Sequence, residues 1–267
     1  MSGHSHWATI KHKKGAIDAK RGKLWSKLSR AIIIAAKHGG GDSNMNLKLR
    51  YAIDKAREVS MPKDNIERAI KRGTGETEGA IFEELTYEGY GSGGVAILVD
   101  VLTDNRNRTL GEVRKIFERG GGKMGSAGNV AFLFERKGMI LVDGEGKDED
   151  TMMGIVLDAG AEDLKANGGQ FEITTDAASF AQVKAALEKA GVKIETAEVA
   201  QVPKAAVDVD EETGKKVSKL MEALDDHDDV QNVYSNANLT AAMMEALGHV
   251  SPRGESMVSI ACTPAPR

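Results

Sequence analysis

The stretch Gly138–Pro203, GMILVDGEGKDEDTMMGIVLDAGAEDLKANGGQFEITTDAASFAQVKAALEKAGVKIETAEVAQVP, carries the most regular pattern in the chain. Met139–Val142 is a short apolar run of strand type, and Asp148–Ala159 repeats its apolar residues at helical spacing. Ala161–Ala166 and Gln170–Thr174 flank Asn167-Gly168-Gly169, a turn signal that joins them as a hairpin. Ala177–Ala190 is helical again and Val192–Val199 is a strand. The order β-α-β-β-α-β is that of a ferredoxin-like unit.

On either side of this unit lie elements that lack partners of their own. Downstream, a helix from Asp210 to Leu224 and a strand Val230–Tyr234 stand alone. Upstream, Phe82–Glu88 and Val95–Leu102 read as strands joined by the turn Gly89–Gly94. Thr109–Arg119 follows as a helix with Leu110, Val113, Ile116 and Phe117 as its inward stripe. Gly120-Gly121-Gly122 breaks it, and Asn129–Phe134 reads as another strand. Joining the downstream pair to the upstream sheet makes residues 80–136 and 204–236 one discontinuous α+β domain. The ferredoxin-like unit, residues 137–203, is then an insertion in it. Residues 237–267, with one possible helix at Leu239–Leu247 and three prolines, are expected to form a loose extension.

The front of the chain has a different period. From Asp18 to Lys37, Trp25, Leu28, Ile32 and Ala35 recur at helical spacing. Lys20, Lys23, Lys27 and Arg30 fall within an arc of about 80° away from that stripe, at 100° per residue. His38-Gly39-Gly40-Gly41 should stop the helix, and Asp42 or Ser43 can start the next, roughly Asn44–Ser60. Its inward residues are Leu49, Ala52, Ile53 and Ala56. Pro62 suits the first turn of a third helix that buries Ile66, Ala69 and Ile70 and ends at Gly73. Residues 1–79 are therefore expected to form a basic three-helix domain with an amino-terminal arm.

Charge separates this part from the rest. Residues 1–75 hold 17 Lys and Arg against 6 Asp and Glu, whereas the remainder holds 19 against 34. A sign split of this kind points to polyanion binding by the basic part. Overall composition, 41% hydrophobic and 28% charged, is that of a folded globular chain of 267 residues. A single cysteine, Cys262, excludes an internal disulfide or a multi-cysteine metal centre. The longest aliphatic run, Ala31–Ala36, is far short of the roughly 20 residues that span a bilayer. Neither a secretory nor a transit signal is evident at the start, so a cytoplasmic protein is expected.

Candidate chemistry is sparse. The glycine loops at 39–41, 89–94 and 120–128 lack the strand-to-helix setting and the Gly-Lys-Ser/Thr ending of a phosphate loop, and read as plain turns. His4-Ser5-His6 has no carboxylate partner nearby, and Asp225-Asp226-His227-Asp228-Asp229 reads as a solvated loop sooner than a cation site. No nucleophile-and-base arrangement is visible, so no catalytic residue, cofactor or metal is expected.

The basic arm is the strongest signal: Lys11, Lys13, Lys14, Lys20, Arg21, Lys23, Lys27 and Arg30 face one acid, Asp18. A merely solvated helix face interleaves Glu with Lys. Arg68, Lys71 and Arg72 crowd the end of the third helix. A second cluster, Arg106 and Arg108 with Arg114 and Lys115, surrounds Thr103–Thr109, where Asp104 or Asn105 can cap the helix; Asp100, Asp104 and Glu112 could equally absorb these charges. Aromatics make up 4% and are not interleaved with the cations, so phosphate-led contact is expected in place of base stacking. Trp25 reads as core.

The blocks Met1-Ser2-Gly3-His4-Ser5-His6-Trp7, Ile10-Lys11-His12-Lys13-Lys14 and Asp18-Ala19-Lys20-Arg21-Gly22-Lys23 closely resemble the amino terminus of the YebC/PmpR family. Met61-Pro62-Lys63-Asp64-Asn65-Ile66-Glu67-Arg68-Ala69-Ile70, Tyr87-Glu88-Gly89-Tyr90-Gly91 and Leu102-Thr103-Asp104-Asn105-Arg106-Asn107-Arg108 extend the resemblance to about Asn236. It implies three domains, a helical one and two α+β ones with the third inserted in the second. It also implies a cytoplasmic bacterial protein of the class called probable transcriptional regulators, with related ribosome-associated translation factors. Ser92 stands where a proline is common, and residues 237–267 run past the usual end. The expectation is a non-enzymatic, nucleic-acid-binding regulator, DNA-binding in the first instance and otherwise a translation factor on ribosomal or transfer RNA. The acidic domains would position it or recruit the ribosome or a protein partner, with no membrane involved.

Overall fold

A computed structural model describes residues 21–239 apart from residues 80, 145 and 168. Helix α1 (Arg21–Gly39) buries Ile32, Ile33, Ile34, Ala35 and Ala36 because α2 (Leu47–Glu58) and α3 (Lys63–Gly73) both pack on it. Each large aliphatic side chain so buried contributes about 1.5–3 kcal/mol. Gly40, at φ +80°, reverses the chain after α1. The cap of α2 is Asn46, not the expected Asp42 or Ser43: its Oδ1 accepts from the Leu49 amide at 3.1 Å. The Asn46 amide group also donates to the carbonyls of Ala35 (2.8 Å) and Gly40 (2.9 Å). This residue is therefore fixed by both neighbouring helices, and α2 begins later than periodicity alone suggests. Trp25 packs on the same core and donates its indole N–H to the Val59 carbonyl at 3.2 Å.

The middle sheet is antiparallel. Its strands β1 (Glu83–Tyr90), β2 (Ala96–Thr103), β3 (Lys123–Met124) and β9 (Val230–Ser235) are ordered β3-β1-β2-β9. Central β2 is apolar almost throughout because both its faces are covered. Ile97, Val99 and Val101 face helices α4 (Arg106–Arg119) and α7 (Glu211–Asp225), meeting Val113, Phe117, Val217, Leu220 and Leu224. Ala96 and Leu98 face the other way, against Val130, Phe134, Ala200 and Tyr234. Asn105 and Asp210 cap the two helices, accepting from the amides of Arg108 (3.1 Å) and Thr213 (2.7 Å).

Between them lies the sequence β4 (Phe134–Asp143), α5 (Glu149–Asp158), β5 (Ala161–Asn167), β6 (Gln170–Asp176), α6 (Phe180–Lys189) and β7 (Ile194–Pro203). Its antiparallel sheet, ordered β5-β6-β4-β7, has the ferredoxin-like topology. Ile140, Val142, Phe171 and Ile173 lie beneath Met152, Val156, Phe180, Val183 and Leu187. The chain is thus an α+β protein.

Two expectations change. Asn129–Phe134 is not a strand: Ala131–Leu133 is a 3-10 turn, and Phe134 begins β4, which continues through Met139–Val142. The cause is Glu88, buried in β1, whose carboxylate accepts from the amides of Gly128 (2.6 Å), Val130 (2.6 Å) and Ala131 (2.8 Å). Those N–H groups have no capacity left for a ladder. Nor are residues 237–239 loose. In β10 (Ala237–Asn238), which pairs in parallel with β8 (Val207–Asp208), Ala237 is buried, as is Leu239 just after it. The rest of the expected extension, residues 240–267, lies outside the described residues.

Candidate nucleic-acid interface

The cationic row of α1 does not face open solvent. Lys23 Nζ lies 3.6 Å from Asp228 Oδ1 and 3.9 Å from Asp226 Oδ1. Lys27 Nζ lies 3.4 Å from Asp225 Oδ1 and donates to the Asp225 carbonyl. Arg30 donates to the Asp228 carbonyl and lies 3.1 Å from Asp229 Oδ1. This corrects the expectation of a basic face held apart from an acidic body. The run Asp225–Asp229, read as a solvated loop, is the counter-charge of α1.

The loop has an anchored end and an exposed end. Asp229 is only 3% exposed. Its Oδ2 accepts from Arg108 (2.7 Å), Thr109 Oγ1 (2.7 Å) and Thr103 Oγ1 (3.2 Å). Its carbonyl takes the Leu102 amide at 2.8 Å. Burial by itself would raise the Asp229 carboxyl. The Thr109 and Arg108 hydrogen bonds and the Arg30 and Arg108 charges outweigh it and hold the group below the usual carboxylate value. His227 accepts the Asp229 amide on Nδ1 at 3.1 Å and meets Glu112 through Nε2 at 2.9 Å, tying the turn to α4. Asp225, Asp226 and Asp228, by contrast, have side chains 45%, 54% and 71% exposed. The pairs that Lys23 makes with Asp226 and Asp228 are exposed enough to contribute about 0–1 kcal/mol each, whereas Lys27 itself is buried.

The remaining candidates divide by surroundings. Lys11, Lys13, Lys14 and Lys20 lie outside the described residues, and Arg21 is in the first turn of α1 as described. Arg72 lies with its guanidinium carbon 5.5 Å from the Phe82 ring centroid, and Arg30 stands 5.7 Å from the same ring, so both are engaged with the core edge. Arg108 is shared among Asp229, Asp104 (3.0 Å) and Glu112 (4.0 Å). The acids weighed as its alternative partners thus include two of those found, with Asp229 added. Arg106 is exposed, and its carbonyl accepts from Tyr87 Oη at 3.4 Å. Arg68 and Lys71 are exposed on α3, and Lys48 and Arg50 on α2. Arg68 donates to Asn65 and the Asp64 carbonyl, and Arg50 to the Ser43 and Asn44 carbonyls. Among the described residues no carboxylate pairs with any of these four.

The helical part touches the ferredoxin-like unit as well. Lys55 Nζ meets Glu198 Oε2 at 2.8 Å, and the Tyr51 and Phe180 rings meet edge-on at 5.6 Å. Lys48 and Arg50 do not stand out in the sequence, and the run Asp225–Asp229 does so without showing that it faces α1. For Lys48 and Arg50 the available signal is their place on the polar face of α2. For the aspartates it is only a charge run opposite in sign to α1. Among the described residues no three His, Cys, Asp or Glu side chains converge as a metal would require, and no helix is long and apolar enough to cross a membrane.

The helical front and the two α+β sheets fall within the bounds of two matching domain models. Residues 5–76 match the TACO1/YebC protein N-terminal domain and residues 82–237 the TACO1/YebC second and third domain; the chain belongs to the TACO1/YebC family. A "Probable transcriptional regulatory protein" of Dictyoglomus turgidum is 54% identical over 248 residues, covering 92% of this chain and all of that one. One of Geobacter sulfurreducens is 52% identical over 247 residues, covering 92% of this chain and 100% of its own. The crystal structure of a conserved hypothetical protein from Aquifex aeolicus is similar with a TM-score of 0.78 and 49% identity, covering 87% of this chain and 96% of that one.

Proposed function

We infer that this chain is a nucleic-acid-binding regulator of gene expression that acts by binding in the cytoplasm and performs no catalysis, with duplex DNA as its leading ligand. The observation that carries this reading is the exposed set Lys48, Arg50, Arg68 and Lys71, cations on two adjacent helices without a carboxylate partner among the described residues. They belong to the part of the sequence with 17 basic against 6 acidic residues. The names of the bacterial relatives, transcriptional regulatory proteins, point the same way. In this reading the helical domain, with Lys11, Lys13, Lys14 and Lys20 of the arm, holds the phosphate backbone. The discontinuous middle domain and its insertion position it and offer an acidic surface to a protein partner.

Phosphate contacts fix register without reading sequence, so ribosomal or transfer RNA presents the same chemistry. Gel shifts on duplex DNA and sedimentation with ribosomes, each over a salt series, separate the two. The K48E/R68E/K71E variant should bind more weakly, and each phosphate it no longer neutralises should flatten the log K against log salt slope by about 0.7–0.9. If that variant binds both polymers as the parent does, the assignment is wrong.

A further inference from the structure

We propose that the acidic segment Asp225–Asp228 is an internal competitor for the cationic row of α1, masking Lys23 and Lys27 until a phosphodiester backbone displaces its carboxylates. The proposal rests on the nucleic-acid reading above and adds the regulation of that surface.

Two features of the contact support a displaceable mask over a purely structural seam. The first is its chemistry. Two successive rungs of one helix face meet carboxylates supplied by one short segment, Lys23 against Asp226 and Asp228 and Lys27 against Asp225, while Arg30 beyond them is held by the Asp228 carbonyl and the anchored Asp229. A polyphosphate strand would offer those cations the same ligands. The second is the division of labour within the turn. Asp229, buried and held by Thr103, Arg108 and Thr109, together with the His227–Glu112 contact, fixes the turn to β2 and α4, and its other oxygen holds Arg30 of α1 at 3.1 Å. The three acids ahead of it stay largely exposed. Their pairs with lysine are long, at 3.4–3.9 Å. The Lys23 pairs are solvated, screened by salt and ready to exchange for a ligand of higher charge density, whereas Lys27 is buried and leaves the turn only when the Asp225 carboxylate and carbonyl are both displaced.

Displacement of these carboxylates would therefore release Lys23 and Lys27 from them as cations additional to Lys48, Arg50, Arg68 and Lys71. Affinity for a polyanion would be set by the difference between phosphate and carboxylate contacts. A protein so built binds long polyanions, which occupy several cations at once, in preference to short ones that cannot outcompete a tethered turn.

The test compares the full-length parent, D225N/D226N/D228N, and a charge-matched control, E149Q/D150N/D158N, whose substituted side chains are exposed on α5. The probes are a 30-base-pair duplex DNA and a single-stranded RNA of the same length; circular dichroism confirms the fold of each variant. The turn variant should bind about tenfold tighter at low salt, with the gap narrowing as salt rises, and the control should match the parent. In the parent, saturating probe should accelerate amide exchange in residues 225–228. If both triple variants tighten equally, net charge alone is at work and the mask is refuted. If the parent binds while the turn variant is unchanged and residues 225–228 stay protected, the mask is refuted and the nucleic-acid reading stands. If neither parent nor turn variant binds either probe, the nucleic-acid reading fails and the mask fails with it.

Discussion

Arg30 in helix α1 and Asp229 in the turn after α7 meet at 3.1 Å, while the other oxygen of the same carboxylate takes Arg108 at 2.7 Å. One buried acid therefore links the basic front of the chain to the edge of the middle sheet. Its removal should cost far more than removal of its exposed neighbours. Breaking a buried ion pair costs about 3–5 kcal/mol, and the partial exposure of both arginines lowers the expectation for D229A to about 2–4 kcal/mol. D226N and D228N should each stay within about 0.5 kcal/mol of the parent. Urea unfolding midpoints decide this, and equal losses in all three variants would contradict the hub role.

Acid should weaken the fold through two identified groups. Burial alone would raise the carboxyl of Glu88, but the amides of Gly128, Val130, Ala131 and Asn129 outweigh it and hold the group below its ordinary value, as the partners of Asp229 do there. In the unfolded chain such groups titrate near 4. Their stabilisation is therefore complete above that range and lost as pH falls through it toward the depressed folded-state values. Urea midpoints followed by circular dichroism should fall between pH 5 and pH 3, and E88Q should reduce the slope. A flat profile would rule the mechanism out.

Glu88 should also govern the segment around Gly128–Ala131. E88A leaves three amides without their acceptor, at about 1–3 kcal/mol for each donor that stays buried. Hydrogen exchange at Gly128, Val130 and Ala131 should quicken by at least about tenfold, ahead of any change in the β5-β6-β4-β7 sheet. Unchanged protection would show that other contacts hold the turn.

Two glycines should respond with opposite signs. A Cβ on Gly138 would lie 2.3 Å from Thr175 Oγ1 and 2.6 Å from the Phe180 ring, whereas one on Gly154, inside α5, would meet nothing within 4 Å. G138A should cost about 1–3 kcal/mol by overpacking, and G154A should add about 0.5–1 kcal/mol by restricting the unfolded chain. Thermal midpoints shifting the same way for both would refute this.

Legible in the sequence is what depends on near neighbours. The caps Asn105, Asp148 and Asp210 each accept an amide three residues on, and all three precede helices that periodicity locates. The ferredoxin-like order follows from alternating periods and the Asn167-Gly168-Gly169 turn, and β9 falls to the middle sheet because it has no other partner. What stays hidden depends on distant residues. Nothing near Glu88 in sequence announces that it captures amides some 40 positions later. The apolar run Val130–Phe134 consequently reads as a strand. The helical wheel of α1 correctly puts Lys23, Lys27 and Arg30 on one face, but a wheel cannot show what lies opposite. The acids that meet them are supplied by a turn about 200 positions away, and a charge run in sequence looks the same whether it meets water or lysine.

The placement of β9 has a consequence for how the molecule comes into being. A chain made from its amino terminus has α1, β1 and β2 long before residues 229–235 emerge. Until then β2 keeps a bare edge, and the acids that meet Lys23, Lys27 and Arg30 are still to be made. The strand that completes the sheet and the aspartate that seats the first helix arrive together, in one seven-residue segment. Nascent chains cut short of it should be the aggregation-prone, promiscuously anion-binding form of this protein, because the middle sheet and the seat of α1 close only when it arrives.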